Sequence, residues 1–172
     1  MVDRESLIQP VRSLLSALNR GEPHLEKYFV GDPQPEIYEH GLSLFAPFMG
    51  RIFTGVDGIR KYFALLNELL VFQETTFEDE KSWIVDTETM AVFLRGQCRF
   101  LWKDTSQTWA ETFCYRIAIQ EDLSDWTRAL KVKQYYVWGD TGALYLASLG
   151  KLDLVSKNDP KVEGWLGKGA DA

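Results

Sequence analysis

The stretch Met90-Ala91-Val92-Phe93-Leu94-Arg95-Gly96-Gln97-Cys98-Arg99-Phe100-Leu101-Trp102 decides the class of fold. Its even positions Met90, Val92, Leu94, Cys98, Phe100 and Trp102 are apolar, whereas Arg95, Gln97 and Arg99 are odd. A period of two marks a strand with one buried face. The next segment repeats the pattern, with Trp109, Phe113, Tyr115, Ile117 and Ile119 on one parity and Thr112, Arg116 and Gln120 on the other. A third sets Leu130, Val132, Tyr136 and Trp138 against Lys131 and Lys133. Turn chemistry falls near Asp86-Thr87, Asp104-Thr105-Ser106 and residues 121–124. Successive half-buried strands of this kind predict a curved antiparallel sheet.

The chain before these strands has the helical period. Leu7, Val11, Leu14, Leu15 and Leu18 make one stripe that ends before Gly21, with Pro10 either in the first turn or at a kink. A short second helix is expected over residues 24–29, then a loop over residues 31–35. Residues 38–48 read as a strand of irregular alternation. Ile59, Tyr62, Phe63 and Leu66 recur at the spacing of a third helix. After Asp140, residues 141–149 predict a short helix stopped by Gly150. The expected organisation is one domain over residues 1–150 and a loosely held tail over 151–172, rich in Gly, Lys and Asp, with Trp165 available to anchor it.

Composition narrows the function. The chain has 172 residues, 45% hydrophobic and 26% charged, which suits one globular domain with a sizeable core. Its 19 basic residues are scattered among 25 acidic ones, so the concentrated basic surface that nucleic acid or an anionic membrane requires is missing. There is no apolar run near the roughly 20 residues of a bilayer span, and the opening Met1-Val2-Asp3-Arg4-Glu5 lacks a signal peptide's pattern. A cytoplasmic location is expected. Cys98 and Cys114, with only His24 and His40 beside them in the sequence, have no metal-ligand spacing and read as structural thiols. No metal or other cofactor is expected. The aromatic share, 13% with 6 Trp, points to a pocket or a large interface.

This order of elements resembles the nuclear transport factor 2-like superfamily, which includes ketosteroid isomerase, scytalone dehydratase and SnoaL-type polyketide cyclases. Phe45-Ala46-Pro47 leading through Gly55-Val56-Asp57-Gly58-Ile59-Arg60-Lys61-Tyr62-Phe63 is similar to the SnoaL-like strand and helix start. Tyr136-Val137-Trp138-Gly139-Asp140, followed by Ala143-Leu144 and Leu149-Gly150, resembles that branch's last strand and closing segment. The resemblance covers roughly residues 5–150. It implies an α+β cone, a curved antiparallel sheet wrapped around N-terminal helices, of the cystatin-like α+β barrel type. Phe45 stands where many SnoaL-like sequences carry a His, which weakens a family-style acid–base pair.

Three side chains are candidates for chemistry. Asp140 has the parity of Tyr136 and Trp138, so its carboxylate is expected at the mouth of the apolar interior, where burial would raise its pKa. The resemblance gives an Asp at this place an acid/base role; the same position also suits the cap of the following helix. Glu111 lies between Trp109 and Phe113 on the apolar face, with Gln134 or an Arg from a neighbouring strand as its partner, or else reaches water at the strand's open end. His40 shares the parity of Tyr38, Leu42 and Leu44 and either faces the cavity or is a hydrogen-bonded core residue. The expected core and pocket walls include Phe45, Phe48, Tyr62, Trp102, Trp109, Phe113, Tyr115, Tyr136 and Trp138, with Gln134 beside them.

Two functions follow. One is a cofactor-free isomerase, cyclase or dehydratase that moves protons on a small apolar or polycyclic substrate, with a hydroxyl from Tyr62, Tyr115 or Tyr136 stabilising an enolate. The other is a non-catalytic domain that binds a ligand or dimerises. A homodimer through the outer sheet face, carrying Phe93, Leu101 and Tyr135, is the expected assembly for either.

Overall fold

The structure is a computed structural model and describes residues 2–158. Trp165, the expected anchor, lies outside the described residues. Helix α1 (Arg4–Asn19) starts where the Asp3 carboxylate accepts the backbone N–H of Ser6 at 2.8 Å. Its stripe Leu7, Val11, Leu14 and Leu15 is buried, and Pro10 is buried well inside the helix rather than in its first turn. The expected second helix is a single 3-10 turn, Leu25–Tyr28. In α2 (Gly55–Leu69) the buried residues are Ile59, Tyr62 and Phe63. Gly58 permits the close docking of this helix, since a Cβ there would lie 2.9 Å from the carbonyl carbon of Phe53.

Among the described residues seven strands form one sheet: β1 (Glu36–Glu39), β2 (Ile52–Thr54), β3 (Leu70–Phe77), β4 (Ile84–Asp86), β5 (Ala91–Trp102), β6 (Gln107–Glu121) and β7 (Leu130–Trp138). Their order is β2-β1-β7-β6-β5-β3, with β4 also paired to β5. The sheet is curved and does not close, and α1 packs across β4, β5, β6 and β7. All pairings are antiparallel except β1 with β7, which is parallel. In β5 and β6 the buried parity is the one expected.

Two strands depart from expectation. In β7 the pairing runs Ala118 to Gln134 and then Ile119 to Val132, so Lys133 is an extra residue. A bulge of one residue reverses every later side chain. Val132 faces the core, but beyond the bulge Tyr135 and Val137 do, at 3% and 8% exposure. Gln134, Tyr136 and Trp138 therefore lie on the outer face, and Tyr135, expected there, is interior. Phe93 does look outward. The second departure is β1, which stops at Glu39 instead of continuing to residue 48. Ile37 and Glu39 are buried, while Leu42 and Leu44, expected inside, are exposed.

Helix α3 (Thr141–Ser148) follows β7 and ends at Gly150, whose φ is +68°. Helix α4 (Leu152–Asn158) follows, its first residue held by the Leu152 N–H bonded to Gln107 Oε1 at 2.7 Å. Among the described residues no helix is long and apolar enough to cross a membrane.

Candidate functional site

Between the sheet and the two long helices lies a cavity of about 730 Å³. Leu18 and Leu25 come from the α1 end of it, Tyr62, Phe63 and Leu66 from α2, and Phe100, Trp109, Phe113, Tyr115, Tyr135 and Val137 from the sheet. Exposed lining residues such as Asn19, Phe72, Lys103 and Asp140 mark its rim. The walls are apolar, with a few polar groups, the usual make-up of a small-molecule site.

Glu39 is the polar group the sequence reading missed. It is 9% exposed, and the Tyr62 hydroxyl donates to its Oε2 at 2.6 Å. Burial disfavours the carboxylate and pushes the pKa up to about 7; the Tyr62 hydrogen bond opposes this, and the charge of Glu111 adds to it. The Tyr62 phenol is itself pushed well above its ordinary value, by burial first and then by Glu39. The signal was present in the strand. Ile37 is the one aliphatic residue of Glu36-Ile37-Tyr38-Glu39, and its parity carries Glu39 inward.

Glu111 also lines the cavity. Its Oε2 accepts the Trp109 indole N–H at 2.5 Å, and its Oε1 accepts the Asp140 backbone N–H at 3.3 Å. Burial raises its pKa, and the two hydrogen bonds oppose the rise. The approach to the last strand is tight, because a Cβ on Gly139 would lie 2.5 Å from Glu111 Oε1. A side chain at position 139 would push this carboxylate off the strand end.

The other candidates are placed differently. Asp140 is exposed at the rim, and its Oδ1 accepts the backbone N–H groups of Gly142 and Ala143, both at 3.0 Å. It is the cap of α3. His40 does not face the cavity: it stacks on Trp138 at 4.2 Å and meets Tyr38 edge-on at 4.5 Å on the outer face. Its Nε2 is buried without a hydrogen-bond partner among the described residues, and burial lowers its pKa. Gln134, expected beside Glu111, instead accepts from Arg116 at 2.9 Å and donates to Glu36 at 2.8 Å, and the Tyr136 hydroxyl also donates to Glu36. Phe45 stacks on Tyr145 at 4.6 Å, away from the cavity lining. Phe48 and Trp102 are buried outside that lining, whereas Tyr62, Trp109, Phe113 and Tyr115 belong to it. Among the described residues no group of three or more His, Cys, Asp or Glu is arranged to hold a metal ion.

The fold is the nuclear transport factor 2-like fold, with an apolar cavity and a buried carboxyl–phenol pair inside. Solved structures similar to it include an NTF2-like protein from Burkholderia xenovorans, at TM-score 0.61 and 18% identity over 86% of this chain and 98% of that one. Others are a ketosteroid isomerase-like protein from Erwinia carotovora atroseptica (TM-score 0.57, 14% identity, 79% and 95% covered) and a SnoaL-like protein from Mesorhizobium loti (TM-score 0.56, 12% identity, 80% and 98% covered). No protein-family model matches the sequence. No curated protein matches it significantly either.

Proposed function

We propose that the protein is an acid/base enzyme, an isomerase or cyclase, acting on a small apolar molecule held in the cavity. The observation that carries this reading is Glu39, a carboxyl buried in the cavity wall and bonded to Tyr62, whose pKa that burial pushes up to about 7. A carboxyl of that pKa is a far stronger base than an ordinary one and still exchanges its proton at neutral pH. Glu39 removes the proton, the Tyr62 hydroxyl stabilises its charge, and Glu111 is the second carboxyl able to return a proton. Asp140 acts indirectly, since its backbone N–H holds Glu111. The likeness to ketosteroid isomerase-like and SnoaL-like structures supports this type of chemistry only through the shared fold.

The test needs no knowledge of the full reaction. A panel of polycyclic ketones, with and without an amino group, is incubated with the protein in D2O, and deuterium uptake beside the carbonyl is followed by mass spectrometry. Enzyme-dependent uptake is expected for part of the panel, falling at least 100-fold in Glu39→Gln with no loss of melting temperature. Uptake unchanged in Glu39→Gln contradicts the assignment. Ligands that bind without exchanging would make the protein a binding domain.

A further inference from the structure

The charges around the cavity are unbalanced. Its lining carries Glu22, Glu39, Glu74, Glu111 and Asp140 against one basic residue, Lys103, whose ammonium donates to the carbonyl of Asn67. Three of these carboxylates are provided for: Glu22 by Arg20 and Lys27, Glu74 by Arg99 at 3.6 Å, and Asp140 by the start of α3. Glu39 and Glu111 have neutral partners, the Tyr62 hydroxyl, the Trp109 indole N–H and a backbone N–H. Among the described residues these two carboxyls have no counter-cation in their apolar chamber, and the charge of Glu111 disfavours ionisation of Glu39.

The surrounding rings favour the same kind of guest. Phe100 and Trp109 stack at 5.3 Å, and Phe113 lies 5.1 Å from Tyr115 and 6.4 Å from Phe77, all of them in the lining. Ring faces attract a cation that has left water. We infer that the cavity takes an apolar organic cation, a hydrophobic ammonium held by Glu39 and Glu111 among these rings. This rests on reading the cavity as a ligand site. It fits the proposed chemistry, because a positive centre acidifies neighbouring C–H bonds. Anionic ligands are rejected by both carboxyls.

Ionisation of Glu39 gives the inference a pH signature. The titratable groups facing Glu39 are Tyr62 from α2, Glu111 and Tyr115 from β6, and Tyr135 from β7. The three phenols are raised and stay neutral below pH 9, so only carboxyls titrate. A cation binds more tightly as Glu39 loses its proton through about pH 7. A neutral carbonyl ligand, which would accept a hydrogen bond from protonated Glu39, has the opposite dependence.

Three probes with one hydrocarbon body separate these cases: trimethyl(1-adamantyl)ammonium, 1-acetyladamantane and adamantane-1-carboxylate. Their binding to the full chain is measured by calorimetry at pH 6 and pH 8.5. The ammonium is expected to bind at least tenfold tighter than the ketone at pH 8.5 and to weaken at pH 6. At pH 8.5 Glu111→Gln and Glu39→Gln should each reduce its affinity at least tenfold without weakening the ketone. A ketone that binds as tightly as the ammonium at pH 8.5 overturns the cation inference and leaves the ligand cavity standing. Ammonium affinity indifferent to both substitutions overturns it as well. If none of the probes binds, both the inference and the ligand-site reading fail.

Discussion

Glu39 combines the site's main opportunity with its main energetic cost. A buried carboxyl whose pKa rises from 4.5 to about 7 binds its proton more tightly in the folded state than in the unfolded chain. Between those values the folded protein holds more protons, so this group's contribution to stability falls as pH rises and is lowest above pH 7. The difference is on the order of 3 kcal/mol. Glu39→Gln keeps an acceptor for the Tyr62 hydroxyl but cannot ionise. The variant should therefore gain roughly 2–3 kcal/mol relative to wild type between pH 5 and pH 8.5, read from urea denaturation at the two pH values. A gap independent of pH would mean that Glu39 titrates normally. Glu111 was legible from strand parity because β6 is regular from Trp109 to Ile117 and flanks it with buried rings. Glu39 was hidden by its neighbours. Tyr38 and His40 offered a larger aromatic set on the opposite parity, and those rings are satisfied on the outer face by Tyr136 and Trp138.

At the scale of elements, the long regular pieces were readable and the interruptions were not. The stripe Ile59, Tyr62, Phe63 repeats within one helix, and the alternation of β5 runs through eleven residues, Val92 to Trp102, so each pattern is overdetermined. The parity of β7 is reset by one residue, Lys133, in a stretch where both faces carry aromatics: Tyr135 inside, Tyr136 and Trp138 outside. With rings on either parity, hydrophobic patterning alone cannot choose between the two registers. The bulge is set by pairing with β6, a contact across the chain. Deleting Lys133 should put Tyr135 and Val137 on the outer face and abolish the cooperative near-UV circular dichroism transition. Lys133→Ala, which keeps the residue count and loses only the bond to the Gln34 carbonyl, should cost less than about 1 kcal/mol. A stable, cooperatively folding deletion would show that the register is free to slip.

For the whole molecule, the cavity follows from sheet curvature set against two helices of fixed length. The sheet turns its rings inward, α1 and α2 cover them, and about 730 Å³ between the layers is unfilled. The sequence indicated such a chamber through its aromatic excess, but could not say which rings line it. Phe48 and Trp102 became core, Trp109 and Phe113 became wall, and Trp138 went outside; that division depends on three-dimensional packing rather than on residue type. The proposed chemistry depends on a carboxyl in this chamber, Glu39, poised near neutrality. Carbon-13 NMR of protein labelled at the glutamate side-chain carboxyl, titrated from pH 3 to pH 9, tests it most directly. One resonance with a midpoint near 7, absent from Glu39→Gln, is expected. Midpoints below about 5 for every glutamate would contradict it.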